Sequence, residues 1–312
     1  MTAISNKTVQ RRIPDPAAPI KRKKKSDSRA ALGFLTPSAV GMTVFILFPT
    51  ILAVATSFFN WPTFGDISFA GLGNYRNLFA PGSQFPAALV NTLVFTLLVV
   101  PINLVLTLST AFWVSTSRFS RLYRVLFFLP VVTPTVATAV IWKLIYQPNG
   151  LVDSTMQSLF GIHLPNLLGD SSTALLAVVV VIIWQGFGYN MLIFSAAIDQ
   201  LPQDILDASK LDGAHGLTQL LRIKLPLLTP AIFFASTVTM ISAFQMFSEP
   251  FVMTAGGPGT STVTVVMNVY QTAFQGGELG AAAAPAIILF VLILVVTMIQ
   301  WLGQKKWVHY DQ

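Results

Sequence analysis

The side chains able to do chemistry in this chain are polar and mostly uncharged. Gln185, Tyr189 and Asn190 fall close together, and Thr237, Thr239, Ser242, Gln245, Ser248 and Glu249 form a second group. Each group interrupts an otherwise apolar stretch. Gln185–Tyr189 and Ser242–Gln245–Glu249 are spaced by three or four residues, which sets them on shared faces if both stretches are helical. A polyhydroxy ligand is held by such amides and hydroxyls, because its own hydroxyls both donate and accept. Aromatic faces to stack on it are close in sequence, at Trp184, Phe187, Tyr189, Phe244 and Phe247. The same polar groups serve equally to bond one helix to another, at roughly 0.6–2 kcal/mol per contact. The residues alone leave both readings open.

Other chemistries lack their parts. The chain has no cysteine, so thiolate metal sites, disulfides and Cys nucleophiles are excluded. His163, His215 and His309 are far apart, with no HExxH motif or paired carboxylates, and no metal is expected. No nucleophile–base pair is visible, so no catalytic residue is assigned and an enzyme is not expected. No GxxxxGK[ST] loop is present to bind ATP. Gly256-Gly257-Pro258-Gly259 is glycine-rich, but no Lys follows it, and it reads as a turn.

The elements that carry these residues are set by composition. The chain is 54% hydrophobic and 10% charged, against about 25% charged in soluble domains. A soluble globular protein and a disordered chain are both excluded, and an all-α integral membrane protein is expected. A spanning helix needs about 20 apolar residues. Six segments qualify: Leu32–Phe58, Ala87–Val114, Val125–Tyr146, Thr173–Ile198, Leu225–Ser248 and Ala281–Leu302. Seventeen of the nineteen Lys and Arg residues lie in the N-terminal tail, two alternate loops and the C-terminus, so both termini are expected to be cytoplasmic. Residues 1–30 read as a basic, disordered cytoplasmic tail drawn to anionic lipid, residues 31–304 as the membrane domain and 305–312 as a cytoplasmic end. The tail has no aromatics interleaved with its charges, and nucleic-acid binding is not expected. Spans nearly free of charge give no support to ion coupling or a charged channel filter. Energy for uphill transport must therefore come from another chain.

The cytoplasmic loop over residues 199–225 reads as a compact knob. Pro202, Asp204 and Asp207 suit a helix start. Ile205, Ala208 and Leu211 make an apolar face, and Gly213 can end the helix at positive φ. A second amphipathic piece carries Leu217, Leu220 and Leu221 and stops at Leu225-Pro226. Exposed apolar residues on such a knob suggest a docking surface for a cytoplasmic partner, while a helix lying on lipid fits the same periodicity.

Asp207-Ala208-Ser209, Asp212-Gly213-Ala214 and Ile223-Lys224-Leu225-Pro226 resemble the EAA loop of bacterial ABC importer permeases. Gly213 falls four residues after Ser209 and Ile223 ten after Gly213, as that motif requires. Asp207 replaces its Glu and Ser209 its second Ala. Phe69-Ala70-Gly71-Leu72-Gly73-Asn74-Tyr75-Arg76-Asn77-Leu78-Phe79 and Thr254-Ala255-Gly256-Gly257-Pro258 resemble outer segments of the carbohydrate-uptake, maltose-type branch. The resemblance covers residues 30 to 305. It implies a six-helix type I permease in the bacterial inner membrane. It also implies a second homologous permease, two copies of a cytoplasmic ATPase that hold the ATP and Mg, and an extracytoplasmic solute-binding protein.

On this resemblance Asp207, Ala208, Ser209, Asp212, Gly213 and Ala214, with Leu217 and Leu220 as apolar contacts, couple the chain to the ATPase. Tyr189 matches a sugar-contacting position. Ser242, Ala243 and Met246 occupy matching places on the next helix but differ in type from the maltose carrier, so maltose specificity does not carry over. Gln185, Asn190, Gln245 and Glu249 join the candidate ligand contacts from their chemistry alone. An anion such as glycerol 3-phosphate wants Arg or Lys, and the middles of the spans have none, which favours a neutral sugar or oligosaccharide. The alternatives are a polyol phosphate permease of the same class and a stand-alone carrier or channel.

Overall fold

The computed structural model describes residues 24–306 and residue 308, with side chains from Ala31 onward. The basic tail up to Lys23 lies outside the described residues, as do Trp307 and residues 309–312. Two units divide the chain, residues 1–52 and 53–312. In the first, the helix starts at Lys24, inside the stretch read as tail, and passes through a π-turn at Thr43–Leu47.

Four described helices are long and apolar enough to cross a membrane: Ala31–Thr56, Phe85–Ser115, Ala174–Asp199 and Leu279–Lys306. Two bent pairs complete six spans. Ser120–Val132 meets Thr135–Ile145 at 94°, and Gly216–Leu227 meets Thr229–Phe244 at 67°. The third and fifth spans are therefore not the straight rods expected from apolar length. In the third, Pro134 forces its predecessor out of the helical region, and Thr133 is extended with ψ 139°. In the fifth, Pro226 does not end the cytoplasmic helix as expected. A π-turn over Leu220–Lys224 precedes it, and the helix continues to Leu227 before breaking at Leu228.

The fifth span also ends early. Its helix stops at Phe244, Gln245 caps it, and a new short helix runs from Ser248 to Thr254. Ser242, Gln245 and Glu249 thus do not share one helical face, contrary to their spacing.

The second, third and fifth spans pack around the fourth. Phe95 and Val99 meet Val178 and Val181 in one apolar cluster, and Ala111 meets Met191, Phe194 and Ala235 in another. Lipid is as apolar as these side chains, so close packing rather than water exclusion holds the spans together. Gly188 permits the closest approach. A Cβ there would lie 2.7 Å from Phe128 Cα and nearer still to the Phe127 carbonyl oxygen.

Small elements close the outer side. Phe59–Asn60 and Ser68–Phe69 form an antiparallel pair, with Phe59 opposite Phe69. Asn74, on the short helix Gly73–Asn77, donates from Nδ2 to the carbonyls of Ser57 and Phe59, each at 2.9 Å. Between the third and fourth spans, helix Leu151–Phe160 holds buried Asp153. Its carboxylate accepts from the Leu164 N–H at 2.8 Å and the Asn149 N–H at 3.0 Å, with His163 Nδ1 at 3.6 Å. Those bonds, Leu164's first, hold the Asp153 carboxyl below the usual carboxylate range.

Candidate functional site: a polar cavity and a cytoplasmic knob

A cavity of about 520 Å3 opens among the second to fifth spans. It brings together Gln185, Tyr189, Asn190, Ser242, Gln245, Met246 and Glu249, all seven side chains singled out for ligand contact. The straight fourth span supplies the first three. The early end of the fifth span lets residues 245–249 fold across the cavity instead of running past it.

Hydrogen bonds fix how the amides face. Gln185 Nε2 donates to the Thr133 carbonyl at 3.3 Å and Thr135 Oγ1 at 3.2 Å, at the break in the third span. Asn190 Nδ2 donates to Asn103 Oδ1 at 2.6 Å and Thr239 Oγ1 at 2.7 Å. The amide nitrogens are thereby occupied. Gln185 Oε1 and Asn190 Oδ1 accept no hydrogen bond from any described residue, though both side chains are buried. Both oxygens are shielded from water, so a ligand hydroxyl reaches them only where the amides turn toward the cavity. Among the described residues, no Lys, Arg or His lines the cavity, and Glu249 is its one carboxyl.

The aromatic part is smaller than expected. Tyr189 and Phe247 line the cavity. Trp184 packs instead on Trp142, with ring centres 5.4 Å apart, and Phe187 on Phe127 at 5.4 Å. Phe244 is buried in an apolar cluster with Phe85 and Met240.

At the cytoplasmic end, Gln203–Leu211 is one helix and Gly216 begins the next. Gly213 has φ +82°, the conformation a glycine supplies at a helix end. Asp207, Ala208, Asp212 and Gly213 are exposed, Ala214 and Leu220 half-buried. Asp207 pairs with Lys210 at 2.7 Å. Leu211 is 91% exposed and Leu217 67%, so the apolar face points away from the protein. Ser209 does the opposite: it is buried, donates to the Leu206 carbonyl at 2.7 Å and accepts from Gln219 Nε2 at 2.9 Å.

Residues 107–307, well over half of the chain, match the family described as "Binding-protein-dependent transport system inner membrane component". The chain belongs to this family. The permease is 31% identical over 277 residues to the probable starch degradation products transport system permease protein AmyD of Thermoanaerobacterium thermosulfurigenes, covering 88% of this chain and 93% of that one. It is 32% identical over 286 residues to the sn-glycerol-3-phosphate transport system permease protein UgpA of Pectobacterium atrosepticum, covering 88% and 94%. The arabinooligosaccharides transport system permease protein AraP of Bacillus subtilis is 31% identical over 271 residues, covering 85% of each. A crystal structure of a bacterial alginate ABC transporter, in complex with an alginate pentasaccharide-bound periplasmic protein, shares the fold. Its TM-score is 0.77 at 19% identity, covering 90% of this chain and 96% of that one.

The permease is a multi-pass inner-membrane component of an ABC importer that works with a binding protein. Sequence reasoning missed three of its polar residues. Asn103 and Thr135 line the cavity, and each orients an amide on the fourth span. An Asn inside the apolar second span is the signal that Asn103 gave. Gln219 is buried and donates from Nε2 to the Leu206 carbonyl at 3.1 Å as well as to Ser209, tying the two loop helices together. Its neighbours in sequence are leucines on an amphipathic face, which concealed it.

Proposed function

We propose that the permease carries a neutral sugar or oligosaccharide through the polar cavity. In this reading it is paired with a second permease and driven by two copies of a separate ATPase, which hold the ATP and Mg. The observation that carries the cargo class is the cavity wall: amides and hydroxyls and, among the described residues, no cation. Hydroxyl-rich ligands satisfy such a wall without bringing charge into low dielectric. The names of the AmyD and AraP relatives agree with this class.

In the same reading, Gln185 and Asn190 turn their amides to ligand hydroxyls, Tyr189 supplies a ring face and a hydroxyl, and Ser242, Gln245 and Met246 complete the wall. Exposed Leu211 and Leu217, with Asp207, Ala208, Asp212, Gly213 and Ala214, dock on the ATPase. Ser209 contributes from inside, by holding the helix that presents this surface. The glycerol-3-phosphate relatives make a phosphorylated polyol the second reading. Among the described residues, the cavity offers such a dianion one carboxyl, Glu249, and no cation to pair with it.

The test is uptake by the full importer in proteoliposomes, with radiolabelled neutral di- to tetrasaccharides and glycerol 3-phosphate offered in parallel. Uptake of a neutral sugar, with a half-saturating concentration raised about tenfold by Tyr189→Ala, is expected from loss of about 1.4 kcal/mol of contact. Uptake of glycerol 3-phosphate alone would refute the reading.

A further inference from the structure

A second concavity lies on the extracytoplasmic side, away from the cavity among the spans. It has a volume of about 490 Å3 and is built by the loop before the second span and the loop before the sixth. Eight of its side chains are amides or hydroxyls; apart from Asn74 and Ser83, which are bonded within the protein, they are Asn77, Gln84, Asn268, Gln271, Thr272 and Gln275. Four of these fall at i, i+3, i+4 and i+7 along Val265–Tyr270 and the π-turn Gln271–Gln275, which makes one polar helical face. The other two come from the end of helix Gly73–Asn77 and the cap of the second span. Asn74 holds that helix in place through its bonds to Ser57 and Phe59. This gives the Phe69–Phe79 segment a role that the central cavity does not use.

We propose that this concavity is an outer subsite for a neutral saccharide, a contact the cargo makes before it enters the membrane. The proposal rests on the sugar reading above. Three observations support it. First, its size falls within the range of about 300–1,000 Å3 typical of small-molecule sites. Second, among the described residues no charged side chain lines it, while its amides offer donor and acceptor on one group, as sugar hydroxyls do. Third, among the described residues, the side chains of Asn77, Gln84, Asn268, Gln271, Thr272 and Gln275 make no hydrogen bond within the protein. They are at least partly exposed, so those groups remain free for a ligand. A protein-docking site has a different composition, since hot spots are rich in Trp, Tyr and Arg. This wall has none of them.

The experiment uses the full importer in proteoliposomes and the same panel of labelled neutral di- to tetrasaccharides. The variant is Asn268→Ala/Gln271→Ala/Gln275→Ala, whose side chains are not needed to satisfy any internal bond. The expected result is a rise of about tenfold or more in the half-saturating sugar concentration, the size of one or two lost neutral hydrogen bonds. The concentration of binding protein that half-maximally stimulates ATP hydrolysis should stay unchanged. A rise in that binding-protein concentration would reassign the surface to protein docking and overturn the proposal. Unchanged values for both would also overturn it. If the unaltered importer takes up none of the panel, the cargo reading fails first and the subsite falls with it. If the unaltered importer transports sugar and only the triple variant is silent on sugar affinity, the subsite alone is wrong.

Discussion

Gly188→Ala puts the packing argument at risk most directly. The glycine lies on the fourth span, between Gln185 and Asn190, and faces the backbone of the third span rather than the cavity. An added Cβ would sit 2.7 Å from Phe128 Cα and 2.8 Å from the Phe127 carbonyl carbon. Carbon–carbon contacts are most favourable at about 3.5–4.0 Å, so the two spans must part by about 1 Å. The obstacle is main chain and cannot swing aside, which sets the overpacking cost near the upper end of about 1–3 kcal/mol. Helix propensity returns about 1 kcal/mol for replacing Gly by Ala. The net loss is about 2 kcal/mol. The same movement stretches Gln185 Nε2 away from the Thr133 carbonyl, already at 3.3 Å. Gly186→Ala is the control, since its Cβ would meet nothing nearer than Asn103 Nδ2 at 4.0 Å. Unfolding of the purified permease in increasing denaturing detergent should rank Gly186→Ala at or above the unaltered protein and Gly188→Ala clearly below it. Equal stability of the two variants would refute the close-approach argument.

Three further outcomes are expected. Gly213→Pro should abolish sugar-stimulated ATP hydrolysis while the protein still inserts, because φ +82° is closed to proline and the N–H that bonds the Lys210 carbonyl is lost. Normal uptake by that variant would remove the loop from the coupling path. Gln219→Ala removes two buried hydrogen bonds, one to Ser209 Oγ and one to the Leu206 carbonyl, which keeps its bond from Ser209, at a cost of about 1–3 kcal/mol; faster proteolysis confined to residues 203–219 is the readout. The outer loop should be pH-dependent through Asp153. Its carboxyl titrates below the unfolded value of about 3.9, so its contribution is complete above that pH and is lost as pH falls through the folded value. Hydrogen exchange of residues 149–164, corrected for intrinsic rate, should stay flat from pH 7 to about pH 5 and rise below about pH 4. Asp153→Asn should remove that pH dependence.

The spans were legible because lipid imposes one requirement, apolar length, that composition states directly. Their shape was not. Pro134 and Pro226 are equally visible in the sequence, yet one breaks a span and the other is absorbed beside a π-turn, which depends on main-chain bonds several residues away. The cavity residues were found by type even where the geometry behind them was wrong. Gln245 and Glu249 reach it through a break in the helix after Phe244, not through a common helical face. Ser209 shows the reverse case: the motif position was right, but its hydroxyl is turned inward onto Gln219, a partner ten residues away.

The unbroken fourth span has a mechanical consequence. It runs from Ala174 to Asp199 without a bend, and only three residues separate it from the knob helix at Gln203. That joint has little slack: Leu201 is clamped with Leu206 and Leu228, and Asp199 is tied to Arg124 at 2.8 Å. Tyr189 is ten residues from Asp199, or about 15 Å along the axis. A tilt of about 10° at the lower end would therefore sweep the ring through a stroke of about 2.6 Å, enough to make or break its contacts. A stiff rod transmits force equally in both directions. With the knob docked on the ATPase as proposed above, whatever fills the cavity leans on the knob as firmly as the knob leans on it, and cargo grip and nucleotide grip trade the same free energy.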